Sequence, residues 1–124
     1  MDLNQFKWKN RLLFIFAPQN SDPFFSALQN EISTQRGEVL DRDLVVFKIF
    51  ETGPSFKNTT QIGHTTAEVI RKQFDVPPGR FTVILVGKDG GVKLTRNAMV
   101  KLKDIFALID SMPMRQEEMR RKAK

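Results

Sequence analysis

The chain has no cysteine at all and a single histidine among its 124 residues. Without thiols, disulfides, thiol catalysis and thiolate metal sites are excluded. The compartment stays open, because a cysteine-free protein tolerates either redox environment. Long hydrophobic runs are also missing, and none approaches the roughly 20 residues needed to cross a bilayer. The opening "MDLNQFKWKN" has no apolar signal core. A chain trimmed of its leader would look the same. The expected location is therefore periplasmic or secreted if a signal peptide has been removed, and cytoplasmic otherwise. Repeats, low-complexity tracts and long linkers are absent too, so residues 1–124 read as one domain.

What is present is ordinary for a soluble globular protein: 40% hydrophobic and 27% charged residues, enough to bury a core. The net charge of +6 permits anionic partners, although a solvated basic surface is the simpler explanation.

Along the chain, "RLLFIFA" (Arg11 to Ala17) is a continuous apolar run stopped by Pro18, the pattern of a buried strand. In "NSDP", Asp22 can cap a helix with Pro23 at its first position. Phe25, Leu28 and Ile32 then recur at helical spacing, and Gly37 offers a stop. "LVVFKIF" (Leu44 to Phe50) is a second buried strand. The stretch "ETGPSFKNTTQIGH" (Glu51 to His64) reads as a surface loop. Thr65 and Glu68 have capping-box spacing ahead of a short helix that buries Val69, Ile70 and Phe74. "FTVILV" (Phe81 to Val86) is a third strand, and "GKDGG" turns it into a short fourth, "VKL". Asn97 can cap a last helix carrying Ala98, Leu102, Ile105, Phe106 and Ile109. Pro113 is read as ending that helix, leaving residues 115–124 as a charged C-terminal tail.

The order is β-α-β-α-β-β-α. A crossover helix makes the first two strands parallel, and the hairpin adds antiparallel strands. The expected fold is thioredoxin-like, a four-stranded mixed sheet flanked by helices, with the first strand between the second and the third.

Four stretches carry a family resemblance: "WKNRLLFIFAP", "RDLVVFKI", "VGKDGGVKL" and "LIDSMPMRQEEM". In this order they resemble the P-DUDES domain, a domain of uncharacterised function. It is found in bacteria and in animal sushi-repeat and coiled-coil-domain extracellular proteins. The resemblance implies a thioredoxin-like fold and no established activity, and it hints at an extracellular setting with protein or glycan contacts. Within the wider superfamily, "GRFTVILVGKDGGV" is similar to the late strand and hairpin of peroxiredoxins. By that likeness Arg80 holds the place of an active-site arginine and Pro18 that of the proline after the first strand. Asp22 then stands where those enzymes have a threonine, and Phe25 stands where they have the reactive cysteine. The nucleophile is gone, so peroxidase and disulfide-reductase chemistry are not expected.

Other groupings are weaker. Pro77 or Pro78 precedes the third strand and could form a cis bond or a tight trans turn. His64 has no partners at metal-ligand spacing, so no metal or other cofactor is expected. A triad of His64 with Ser21 or Ser26 is only arithmetically possible. Asp41 and Asp43 flank Arg42, an arrangement that favours a structural ion pair over acid–base work. Trp8, among Lys7, Lys9 and Arg11, could stack a base or sugar. Covering the sheet edge is the simpler role for it.

Three functions follow. The first is a binding or interaction module using Asn20, Asp22, Arg80 or Trp8. The second is an enzyme with cysteine-independent chemistry in the groove near Asn20, Asp22 and Arg80. The third is a weak polyanion binder through Arg115, Arg120, Arg121 and Lys122. The expected partner is a protein or a polyanion. Specific nucleic-acid binding has no motif behind it, and stable membrane insertion is not expected.

Overall fold

The apolar run that opens the sequence's core becomes the central strand of the sheet. In the computed structural model, which describes residues 2–123, β1 (Arg11–Ala17) runs parallel to β2 (Leu44–Phe50), with Phe14 opposite Phe47. Two short strands, β3 (Ser55–Lys57) and β4 (Thr60–Ile62), extend the sheet beyond β2. On its other side β1 pairs antiparallel with β5 (Thr82–Val86), and β6 (Val92–Arg96) closes that edge. Among the described residues the sheet therefore has six strands, in the order β4-β3-β2-β1-β5-β6. The fold is thioredoxin-like, with the first strand between the second and the third long strands as expected.

Every residue of β1 is buried, because helices cover both faces of the sheet. On one face, Leu13, Ile15, Val46 and Leu85 pack against α1 (Pro23–Thr34), α2 (Arg36–Asp41) and α4 (Leu102–Asp110). On the other, Phe14, Phe16 and Phe47 pack against α3 (His64–Gln73) and the 3-10 turn Leu3–Phe6. Phe14 stacks on Phe47 with ring centres 4.7 Å apart. Complete burial of such a side chain is worth about 2–3 kcal/mol.

Several boundaries differ from the sequence expectations, each for a physical reason. The loop from Glu51 to His64 contains the β3–β4 hairpin, turned at Asn58 with φ 54°, a conformation asparagine tolerates. Asn58 Oδ1 also accepts from the Val46 N–H at 2.9 Å, pinning the hairpin to β2. Helix α1 breaks at Gln35, and Gly37 lies inside α2 instead of stopping a helix. Helix α3 starts at His64 with Gly63 as its N-cap, so Thr65 caps nothing; on this helix Ala67, Ile70 and Arg71 are the buried residues. Asn97 does not cap α4 either: its Oδ1 accepts from Thr82 Oγ1 at 3.1 Å. Helix α4 begins at Leu102, whose N–H donates to Glu31 Oε2 on α1 at 2.8 Å.

The largest difference is at the C-terminus. Pro113 opens a helix, α5 (Pro113–Ala123), where a charged tail was expected. Proline is disruptive inside a helix but well suited to its first position. Among the described residues no peptide bond is cis, so Pro77 and Pro78 are both trans.

Candidate functional site

The groove expected near Asn20, Asp22 and Arg80 lies at the junction after β1. Asp22 caps α1 as read, its Oδ1 accepting from the Phe25 N–H at 3.0 Å. Phe25 is buried, with its ring edge-on to Phe50 at 4.8 Å. Next to it, Phe24 meets Phe81 at 5.5 Å, which brings the segment carrying Arg80 to the first turn of α1. Arg80 itself is exposed, and so is Asn20, whose carbonyl accepts from Ser26 Oγ at 3.4 Å. Asp22 spends its carboxylate on the helix, and the Phe25 ring fills the space behind it. His64 is exposed at the start of α3. This end of the sheet holds an exposed arginine and a capped helix, with aromatic packing between them.

The other end of the sheet is chemically richer. Arg11, only 1% exposed, forks both terminal nitrogens onto Glu118, at 3.1 Å and 3.2 Å. Its Nη1 also donates to the Arg42 carbonyl at 3.0 Å. Glu118 accepts in turn from Lys88 Nζ at 2.8 Å, and Lys88 reaches Asp43 at 2.9 Å. Arg42 pairs with Asp110 and Glu38, both at 2.8 Å, and lies 4.1 Å from the centre of the Phe106 ring. Arg115 joins Asp110 at 2.9 Å to Asp41 at 2.7 Å. Lys122 completes the set on Asp41. The five cations (Arg11, Arg42, Lys88, Arg115 and Lys122) thus balance the five carboxylates of Glu38, Asp41, Asp43, Asp110 and Glu118, and the net +6 lies outside the network.

The pairs lower the pKa values of Asp41, Asp110 and Glu118. The hydrogen bond from Lys122, followed by that from Arg115, lowers Asp41 from 3.8 to about 2. At Asp110 burial is the largest single influence and pushes upward. The hydrogen bonds from Arg42 and Arg115 together outweigh it, and the net shift is downward. Glu118 behaves alike, with burial opposed by Arg11 and Lys88. Asp41, Arg42 and Asp43 do take part in structural ion pairs, though not with one another: Asp41 pairs with Arg115, Asp43 with Lys88, and Arg42 with Asp110 and the nearby Glu38.

Above this network lies a groove of about 300 Å³, lined by Trp8, Met112, Pro113, Met114 and Lys93, with Arg11 and Lys88 at its base. Trp8 is 61% exposed, so it does not cover the sheet edge. Its backbone is left-handed, φ 69°, a strained state for a bulky residue. It is held there by its N–H donating to the Lys88 carbonyl at 2.6 Å. Lys7 Nζ sits 5.7 Å from the centre of the Trp8 ring. Arg11 Nε, at the base, is buried without a hydrogen-bond partner.

The structure separates the expected polyanion residues. Arg115 is buried and neutralised, so it is withdrawn from any such surface. Arg120 and Arg121 are exposed and face Glu117, and Lys122 is engaged by Asp41. Asn20, Asp22 and Arg80 share the junction end of the sheet, while Trp8 stands at the opposite end. Sequence reasoning passed over Lys88, Met112, Met114 and Glu118. The available signal was charge inside apolar or turn segments, since each of the four familiar-looking stretches contributes at least one network residue.

A family model described as a domain of unknown function, DUF4174, matches residues 2–118. The chain belongs to the DUF4174 family. A curated relative, coiled-coil domain-containing protein 80 of Danio rerio, is 29% identical over 94% of this chain. The DUF4174 chain spans about 15% of that relative's length. Among solved structures, the reduced 2-Cys peroxiredoxin of Plasmodium vivax superposes with a TM-score of 0.69. It is 14% identical, and the match covers 94% of this chain and 85% of that one. Thioredoxin peroxidase I of Plasmodium yoelii gives 0.68 at 16% identity, covering 94% and 80%. At such identities the likeness establishes the shared fold and nothing of the chemistry.

Proposed function

We propose that this DUF4174 domain is a binding module without redox chemistry, and that the Trp8 groove is its contact surface. Trp8 carries the reading. A strained backbone that holds a large aromatic side chain out in water costs the fold of order 1–3 kcal/mol. Nothing in the packing of the core returns that cost, because the ring is mostly exposed. Aromatic side chains of this kind anchor interfaces, and methionines such as Met112 and Met114 adapt to a partner's shape.

The partner that fits is a protein segment placing an apolar side chain between Trp8 and Met114, with an acidic group beside it for Lys7; Lys93 is already paired with Asp89, which also lines the groove, at 2.8 Å. The finer resemblance to P-DUDES supports an extracellular or periplasmic setting for that contact. An enzyme at the Asn20–Asp22–Arg80 end has less support, because Asp22 is occupied as a cap and Phe25 fills the nucleophile's position. A polyanion reading draws on the charge outside the balanced network, with Lys9, Arg120 and Arg121 as the exposed candidates. Its strength would fall steeply with salt.

The test is affinity capture from the native extract, followed by titration of the purified partner. The chain's single tryptophan makes its fluorescence a direct report on the groove. Binding should perturb that emission and be lost in Trp8→Ala. A partner that binds Trp8→Ala as well as the native chain would contradict the proposal.

A further inference from the structure

Along β2 the residues facing α1 and α2 are Leu44, Val46, Lys48 and Phe50, since side chains alternate across a strand. Leu44, Val46 and Phe50 are buried in the core on that face. Lys48 interrupts the row with an amine. Burial pushes its pKa below the usual 10.5, and that is the one influence acting on it. Among the described residues no ion pair or hydrogen bond holds its ammonium.

The space in front of Lys48 is a pocket of about 210 Å³. Its walls are Ile32 and Val39 from the two helices, with Leu44 and Val46 from the strand. At the mouth Leu40 is 73% exposed. The charged groups lining it are Lys48 and Arg36, and no carboxylate lines it. Gln29 also lines it, with Oε1 buried and without a donor.

We infer that this pocket is a binding site for a small amphipathic monocarboxylate, its carboxylate on Lys48 and Arg36 and its apolar tail along Ile32, Val39 and Leu40. Charge complementarity argues for the anion, because the lining carries two cations and nothing to neutralise them. The volume sets the size. A cavity of roughly 150 Å³ holds benzene, so this one accepts a ligand on the order of ten heavy atoms. The site is separate from the Trp8 groove, and the proposal does not rest on it.

Octanoate is the probe, titrated into the full chain while backbone amide shifts are followed by NMR, with octanol and acetate as controls. Saturating shifts are expected at Ile32, Ser33, Val46, Lys48 and Asn58, with a Kd on the order of 0.1–1 mM. Octanol, without the charge, and acetate, without the tail, should each bind at least about tenfold more weakly. Lys48→Met, which keeps the length and apolar stem, should lose about tenfold while its amide spectrum stays folded. A direct readout is the Lys48 ammonium itself, whose pKa should rise when octanoate is bound. Equal binding of octanol, undiminished binding to Lys48→Met, shifts centred on Trp8, or no saturation at millimolar octanoate would each overturn the assignment.

Discussion

Trp8 ties backbone strain to function at the scale of one residue. A left-handed backbone suits asparagine much better than tryptophan. Trp8→Asn should therefore be no less stable than the native chain in urea unfolding, although it removes a large side chain. It should lose partner binding all the same. A clear fall in stability would mean that the ring is structural and the proposed role wrong. Phe25 gives the complementary case. Phe25→Cys restores a thiol at the position the peroxiredoxin likeness indicates, but in apolar surroundings that keep a thiol protonated and inert. Hydrogen peroxide consumption should stay at the buffer blank, while stability falls by about 3 kcal/mol for the vacated volume. Thiol-dependent turnover would show that the junction still holds a working site. The burial of Phe25 was legible in the sequence, because it follows from the helical spacing of Phe25, Leu28 and Ile32. The strain at Trp8 was not, because no residue pattern encodes a left-handed tryptophan.

Helix α5 shows why some elements were readable and others were not. The three buried strands β1, β2 and β5 carry continuous apolar runs and α1 a helical spacing, and their burial follows from these. Helix α5 has no apolar stripe, and its buried residue is Arg115, so its docking depends on charges supplied by α2, α4 and β1. Those partners are distant in sequence, and local spacing cannot show them. Pro113 was ambiguous for the same reason, being equally able to end one helix or begin the next. Arg115→Met removes the guanidinium joining Asp41 to Asp110 and should cost about 2–3 kcal/mol, less than for a fully buried pair because both carboxylates are partly exposed. Urea unfolding measures it, and a change below about 0.5 kcal/mol would count against a structural network.

The carboxylates of the network also give a pH dependence. Asp41, Asp110 and Glu118 have lowered pKa values in the fold. A group depressed in this way stabilises the fold fully above its unfolded pKa and loses that contribution as pH falls through the folded value. For Asp41 the window runs from 3.8 down to about 2. The urea midpoint should hold steady near neutrality and drop across that window, and Asp41→Asn should flatten the drop. A midpoint insensitive to acid would remove the network from the stability account.

Over the whole molecule, the sheet has two chemically different ends. The end after β1 brings together Pro18, the α1 cap and the segment carrying Arg80, and its centre is filled by aromatic packing. The end before β1 carries the buried ion network and the groove with Trp8 on its rim. The parallel and antiparallel order of the three long strands could be read from the sequence, since crossover helices and turn residues determine it. The second end could not, because it assembles from four separated segments. The measurement that bears most directly on the account sets the two ends against each other. A partner captured by the native chain is titrated against Trp8→Ala and Arg80→Ala, each shown by its amide spectrum to be folded. Binding should weaken at least about tenfold with Trp8→Ala and remain unchanged with Arg80→Ala. Binding that survives Trp8→Ala and is lost with Arg80→Ala would contradict the account and return the function to the junction.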